Sequence, residues 1–244
     1  INIIDENTVT FVFFDSDKQG KYSQYIFWVG DNSNWQLSND FMMKRDNTNK
    51  CWWITIDGLE PGVEYAFQYH VIPQNGDAIR FADPYSTKIL DPWNDKWIDE
   101  SIYPGLREFP EEAWEQPATV FKTTGSDYQW EVTDFTVKNR DNLVIYELLL
   151  RDFTAKKSLK AAMEKLPYLQ SLGVNAIELM PVQEFDGNLS WGYNPAYFFA
   201  LDKAYGTDDD YRKFIDECHK LGIAVFFDVV YNHATGNFPY CKLW

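Results

Sequence analysis

The chain has 244 residues, 45% hydrophobic and 24% charged, with a formal net charge of −15. That is enough apolar material for a packed core and one or two domains, and the acidic balance argues against a nucleic-acid partner, which needs a basic face. No apolar run approaches the roughly 20 residues of a membrane helix.

Residues 1 to about 90 read as short strands broken by turns. Val9 to Phe13, Tyr25 to Val29, Cys51 to Ile56, Tyr65 to Val71 and Ile79 to Ala82 are β-rich runs. Tyr65 to Val71 alternates most clearly, and Asn75-Gly76 marks the turn after it. Many short strands with frequent turns predict a β-sandwich over 1–90. The turn Gly30-Asp31-Asn32-Ser33-Asn34-Trp35 carries a Trp that either meets sugar or closes the sandwich core, and core closure is the simpler role. Residues 91–141 are rich in Pro, Trp and Asp and read as an irregular connector with a strand near Ala118 to Lys122.

From residue 142 to 244 the pattern becomes strand, helix, strand, helix, strand. Val144 to Leu149 is a near-continuous apolar run, expected to be buried on both faces. A helix is predicted over Leu159 to Leu172, with Ser158 as N-cap, Gly173 as stop and Pro167 kinking or splitting it. Asn175 to Leu179 is the second strand. The second helix runs from Thr207 to Lys220, with Thr207 and Asp210 resembling a capping box. Ile223 to Val229 is the third strand. Such alternation predicts parallel pairing, with chemistry at the carboxyl ends of the strands. Residues 180–206 are too long for a plain connection and read as a functional loop.

The aromatic content, 18% of the chain, fits sugar handling as well as core filling. Cys51, Cys218 and Cys241 are too few and scattered for a disulfide framework or zinc site, and Cys218 falls on an apolar helix stripe. Cysteine usage does not reveal the compartment. The start at Ile1, without Met or leader, reads as a mature or trimmed product, and a secreted, periplasmic or cell-surface setting is favoured over a cytoplasmic one. Glu184 and Asp186 read as a solvated face, His70 as a strand residue and His219 as lying on the polar side of a helix.

The third strand ends in Asp228-Val229-Val230-Tyr231-Asn232-His233. A carboxylate there needs a partner, Asn232 offers a carbonyl oxygen to a hard cation, and His233 can donate to a hydroxyl. A polar strand cap with a turn would explain any one of them alone. Trp191-Gly192-Tyr193-Asn194-Pro195 presents two aromatic rings, which either stack on sugar or pack the loop down.

Taken as an ordered set, DVVYNH, WGYNP with FALDKAYGT, YELLLRDFT (146–154) and LGVNAIELMPV (172–182) resemble the α-amylase family of glycoside hydrolases. GDNSNW resembles the immunoglobulin-like sandwich ahead of the barrel in branching and debranching members. The resemblance implies a multidomain chain: a sandwich, then the first three βα units of a (β/α)8 barrel. It implies that Tyr193 stacks on the sugar at the cleavage subsite, that His233 bonds a hydroxyl of that sugar, that Asp228 organises the site, and that Trp191 lies beside it. Asn232 matches a position that binds calcium in many members.

The resemblance implies an enzyme acting on α-glucans such as starch or glycogen, retaining in the full-length protein. Its Asp nucleophile, Glu acid/base and third Asp belong to later strands, so this chain alone is expected to be inactive and to partner the remainder of the barrel. Competing readings are a catalytically silent carbohydrate-binding or assembly protein, an α-1,6 debranching or branching enzyme of the same family, and an unrelated half-barrel for a phosphorylated metabolite. The last is disfavoured because no Gly-rich phosphate loop is present.

Overall fold

The computed structural model describes residues 1–14 and 23–243. They form two compact units: Ile1–Trp93 with Glu108–Gly125 and Gly236–Trp244, and Asn94–Arg107 with Ser126–Thr235. The stretch 91–141, expected as a connector, is shared between the two.

The described residues of the first unit form nine strands: β1 (Asn2–Asp5), β2 (Thr8–Phe14), β3 (Ser23–Gly30), β4 (Lys44–Asp46), β5 (Cys51–Ile56), β6 (Tyr65–Pro73), β7 (Ile79–Phe81), β8 (Ile89–Leu90) and β9 (Ala118–Phe121). They make two antiparallel sheets, β1-β2-β5-β4 and β3-β6-β9-β8, with β7 also paired to β6. Alternation in β2 and β5 sends Phe11, Phe13, Trp52 and Ile54 inward to meet Trp28, Phe67 and Tyr69 of the other sheet. Phe11 touches Trp28, Phe67 and Phe121 at ring separations of 5.5, 4.8 and 5.0 Å, so truncating it to Ala would cost about 3–5 kcal/mol. Trp35 is buried in this unit, its indole N–H donating to Asp31.

Strand β6 departs from simple alternation, being buried on both faces over most of its length. Its outward residues are roofed by the segment after residue 113. Gln68 donates its amide to the carbonyls of Trp114 and Gln116 at 3.0 and 2.6 Å, and the His70 ring meets Trp114 edge-on at 5.1 Å. His70 accepts from Arg80 Nε at 2.9 Å, and burial, reinforced by the Arg80 charge, pushes its pKa down to about 4. Part of the expected connector thus belongs to the sandwich-like unit as cover.

In the second unit, β10 (Ile145–Leu148) is followed by α1 (Leu150–Phe153), α2 (Leu159–Met163) and α3 (Leu166–Ser171). Pro167 opens α3 and splits the predicted helix, because an interior Pro has no N–H for the ladder. Next come β11 (Ala176–Leu179), β12 (Gln183–Phe185), β13 (Pro195–Leu201), α4 (Asp208–Lys220) and β14 (Ala224–Phe227). β10, β11 and β14 pair in parallel in that order, with Glu147 level with Glu178 and Glu178 level with Phe226. The Thr207 hydroxyl accepts from Asp210 N–H while the Asp210 carboxylate accepts from Thr207 N–H, closing the predicted capping box.

Leu148, Ile177 and Leu179 are buried against Leu159, Leu166, Phe214 and Cys218 of the helices. The Cys218 thiol is accordingly inert, its pKa pushed up to about 12 by burial. Among the described residues β10 is buried on one face only. Ile145 is 50% exposed and Glu147 is exposed as well. Helices cover one side of this sheet, and among the described residues of the unit the Ile145–Glu147 side is left open. His219 is half-buried rather than simply polar-facing, its ring stacked on Phe135 at 4.0 Å.

Candidate functional site

β11 and β14 end side by side, and Asp228 N–H donates to the Leu179 carbonyl, carrying the ladder one residue past β14. The Asp228 side chain therefore stands at the carboxyl end of the parallel sheet, where such folds gather their chemistry.

The long segment between β11 and α4 is not a plain loop. β12 and β13 form an antiparallel hairpin within it, and its turn carries Trp191 and Tyr193. Gly192 allows that turn: its φ is +90°, and a Cβ there would lie 2.3 Å from the Pro181 carbonyl oxygen. The sharp reversal delivers Tyr193 to Asp228, to which its hydroxyl donates at 2.5 Å. That bond first, then burial and the charges of Asp228, Glu147 and Glu178, push the Tyr193 phenol up to about 12.

The segment after β14 is zipped to the same hairpin. Thr235 N–H donates to the Pro195 carbonyl at 3.0 Å, and His233 Nε2 lies 2.7 Å from the Tyr193 carbonyl oxygen. A carbonyl oxygen only accepts, so Nε2 donates to it and Nδ1 is left open to a ligand hydroxyl. Tyr193, Asp228 and His233 are thus brought together. Trp191 is 60% exposed on the same turn. Asn232 is exposed one residue before His233. Among the described residues no three His, Cys, Asp or Glu side chains converge as metal ligands. One Asn carbonyl falls short of the six to eight oxygens that calcium takes, so these residues alone do not fit that ion.

The reading of Glu184 as solvated is overturned. Glu184 lies on β12 and is buried, paired with the equally buried Lys203, whose ammonium also lies 3.2 Å from Asp95. Burial first, then the nearby Asp202 and Asp95 charges, raise the Glu184 pKa well above the usual carboxylate range against the pull of Lys203. Burial would lower the Lys203 ammonium, but Glu184 and Asp95 hold it above its ordinary value. The hairpin is further tied down where Asn188 donates to the Asn94 carbonyl at 2.8 Å. A Lys inside the apolar run Phe198 to Tyr205 was the one local sign of this cluster.

A half-buried ring, Tyr193, and an exposed one, Trp191, beside a carboxylate and an imidazole beyond the ends of parallel strands suit a polyhydroxylated ligand with apolar ring faces. The described residues place this cluster at the carboxyl ends of a parallel sheet whose strands alternate with helices. Residues 129–242 match the family model described as "Alpha amylase, catalytic domain", and this part of the chain belongs to the α-amylase family.

Relatives agree. A malto-oligosyltrehalose trehalohydrolase from Saccharolobus solfataricus is 43% identical over 114 residues, which cover 46% of this chain and 20% of that protein. A 1,4-alpha-glucan branching enzyme from Thiobacillus denitrificans is 30% identical over 219 residues, 86% of this chain and 26% of that enzyme. The chain thus spans about a fifth to a quarter of the length of these relatives. Among solved structures, a putative alpha amylase from Salmonella typhimurium superposes with a TM-score of 0.70 at 26% identity, over 98% of this chain and 34% of that one. A pullulanase in complex with maltotetraose superposes with a TM-score of 0.67 at 22% identity over 96% of this chain and 33% of that one, a likeness of fold.

Proposed function

We propose that this chain supplies the sugar-gripping side of an α-glucan site in a retaining glycoside hydrolase. The convergence of Tyr193, Asp228 and His233 at the strand ends carries the proposal. In this reading the first unit is an immunoglobulin-like sandwich and β10, β11 and β14 are the first three strands of a (β/α)8 barrel. Tyr193 offers its ring to the apolar face of one glucose unit, with Trp191 beside it. Asp228 fixes that ring and accepts from sugar hydroxyls, and His233 meets a hydroxyl of the same sugar through Nδ1.

The nucleophile and acid/base of a retaining enzyme are two carboxyl groups roughly 5 Å apart. We assign them to later barrel strands in the whole protein, so the residues here bind and orient but do not break the bond. Calcium at Asn232 is proposed for the whole protein only, with further oxygen donors joining the Asn carbonyl. Branching or debranching is the second reading, favoured by the branching enzyme whose match extends across 86% of this chain.

Titration of this chain with maltotetraose, followed by Trp fluorescence, tests the binding role. Tyr193→Ala is expected to weaken binding about tenfold, equivalent to about 1.4 kcal/mol; unchanged affinity rejects the assignment. New reducing ends from soluble starch, measured for the whole protein and for this chain separately, test the division of labour. Activity of the short chain alone defeats it.

A further inference from the structure

Tyr193 is aimed by its neighbours in the turn. Asp186 N–H donates to the Asn194 carbonyl at 3.4 Å, and Asn194 Nδ2 donates back to the Asp186 carbonyl at 3.2 Å. These bonds close the mouth of the turn. Inside it, the Ser190 hydroxyl accepts from Gly192 N–H at 3.0 Å and donates its hydrogen to Asn194 Oδ1. A serine hydroxyl has one hydrogen and two lone pairs, so it fills both roles at once. Ser190 thereby links the residue before Tyr193 to the residue after it.

We propose that Ser190 is a positioning residue for Tyr193: its hydroxyl locks the flanks of the turn and so aims the ring and its hydroxyl at Asp228. Without that oxygen, Gly192 N–H and the Asn194 side chain both lose a partner. The Asn194 amide is then free to swing and release the Asp186 carbonyl that holds the turn shut. The backbone at Gly192 is already in the left-handed region and pressed against Pro181, so small rotations there move the next residue's ring by a large angle. The link from ring aim to sugar binding rests on the proposed function. The link from Ser190 to ring aim does not.

The test separates the two. Ser190→Ala and Ser190→Thr are made in this chain, tyrosines are labelled with ¹³C at Cζ, and the Tyr193 signal is identified by its loss in Tyr193→Phe. In the unaltered chain the Asp228 bond and burial push the phenol up to about 12. Ser190→Ala, with circular dichroism and melting otherwise kept, is expected to lower that titration by about one pH unit toward the ordinary tyrosine value. Ser190→Thr retains the oxygen and is expected to titrate as the unaltered chain does. A phenol that titrates identically in Ser190→Ala overturns the proposal, whatever happens to sugar affinity. Maltotetraose affinity is expected to fall in step with the phenol. If the phenol drops while affinity holds, Ser190 positions Tyr193 as proposed and the sugar-stacking role of Tyr193 is the part that fails.

Discussion

The Tyr193 hydroxyl donates to Asp228 Oδ2 across 2.5 Å, tying the tip of a hairpin to the end of a parallel strand. This bond exists only while the phenol keeps its proton. The folded pKa, pushed up to about 12, lies above the unfolded value of about 10, so the folded state holds the proton more tightly. The contribution to stability is therefore complete below pH about 10 and is lost as pH rises through about 12. Tyr193→Phe should flatten this part of the stability profile. Urea midpoints at pH about 9 and about 12 measure it, and an equal alkaline fall in both proteins would refute the account.

Gly192 and Gly187 both have positive φ, +90° and +80°, but only Gly192 has a neighbour where a Cβ would go. Gly187→Ala should cost about 1 kcal/mol from backbone strain alone. Gly192→Ala must also displace the Pro181 carbonyl and should cost at least twice as much, with loss of maltotetraose binding. Thermal melts of the pair isolate the steric part. Equal melting temperatures would mean that the Pro181 contact yields freely.

Lys203 is a buried cation between Glu184 and Asp95. Lys203→Met removes the charge that compensates buried carboxylates and should destabilise the chain by about 3–5 kcal/mol. Adding Glu184→Leu should recover part of that loss, because a single unpaired carboxylate is costlier than an apolar pair. Urea unfolding of Lys203→Met, Glu184→Leu and the double variant at neutral pH decides it. A double variant as weak as the sum of the two single changes denies the coupling.

The elements that were legible in the sequence are those whose signal is local. Cys51–Ile56 was readable to the residue because Trp52, Ile54 and Ile56 alternate on one face, and α4 because Thr207 and Asp210 announce its cap. The β12–β13 hairpin was not, since one strand has three residues and the turn between them is long enough to hide the pairing. Glu184 looked solvated because its partner Lys203 lies 19 residues away and Asp95 much further. The Asp228 to His233 set was legible because its members are adjacent. Its meeting with Tyr193, 35 positions upstream of Asp228, was implied only by family resemblance.

Asp216 carries no local sequence signal, yet it holds a whole segment. Its carboxylate accepts from Tyr128 OH at 3.0 Å, from Glu131 N–H at 2.8 Å and from Val132 N–H at 2.9 Å. Burial works to raise its pKa, but those donors and the Lys220 charge outweigh it and hold the carboxyl below its ordinary range. A depressed folded pKa means that the stabilisation is present above the unfolded value of about 3.9 and disappears as pH falls through the lower folded value. Asp216→Asn keeps the shape but substitutes a neutral acceptor and an NH₂ for the second oxygen, which leaves one of the two backbone donors facing a donor. The expected loss is about 1–3 kcal/mol at neutral pH, shrinking as pH falls through the depressed folded value and the native carboxyl takes up its own proton. Hydrogen exchange of the Glu131 and Val132 amides at neutral pH, in the unaltered chain and in Asp216→Asn, gives the site-specific readout. Protection of those amides that is unchanged by the substitution at neutral pH would show that the segment is held by something other than this carboxylate.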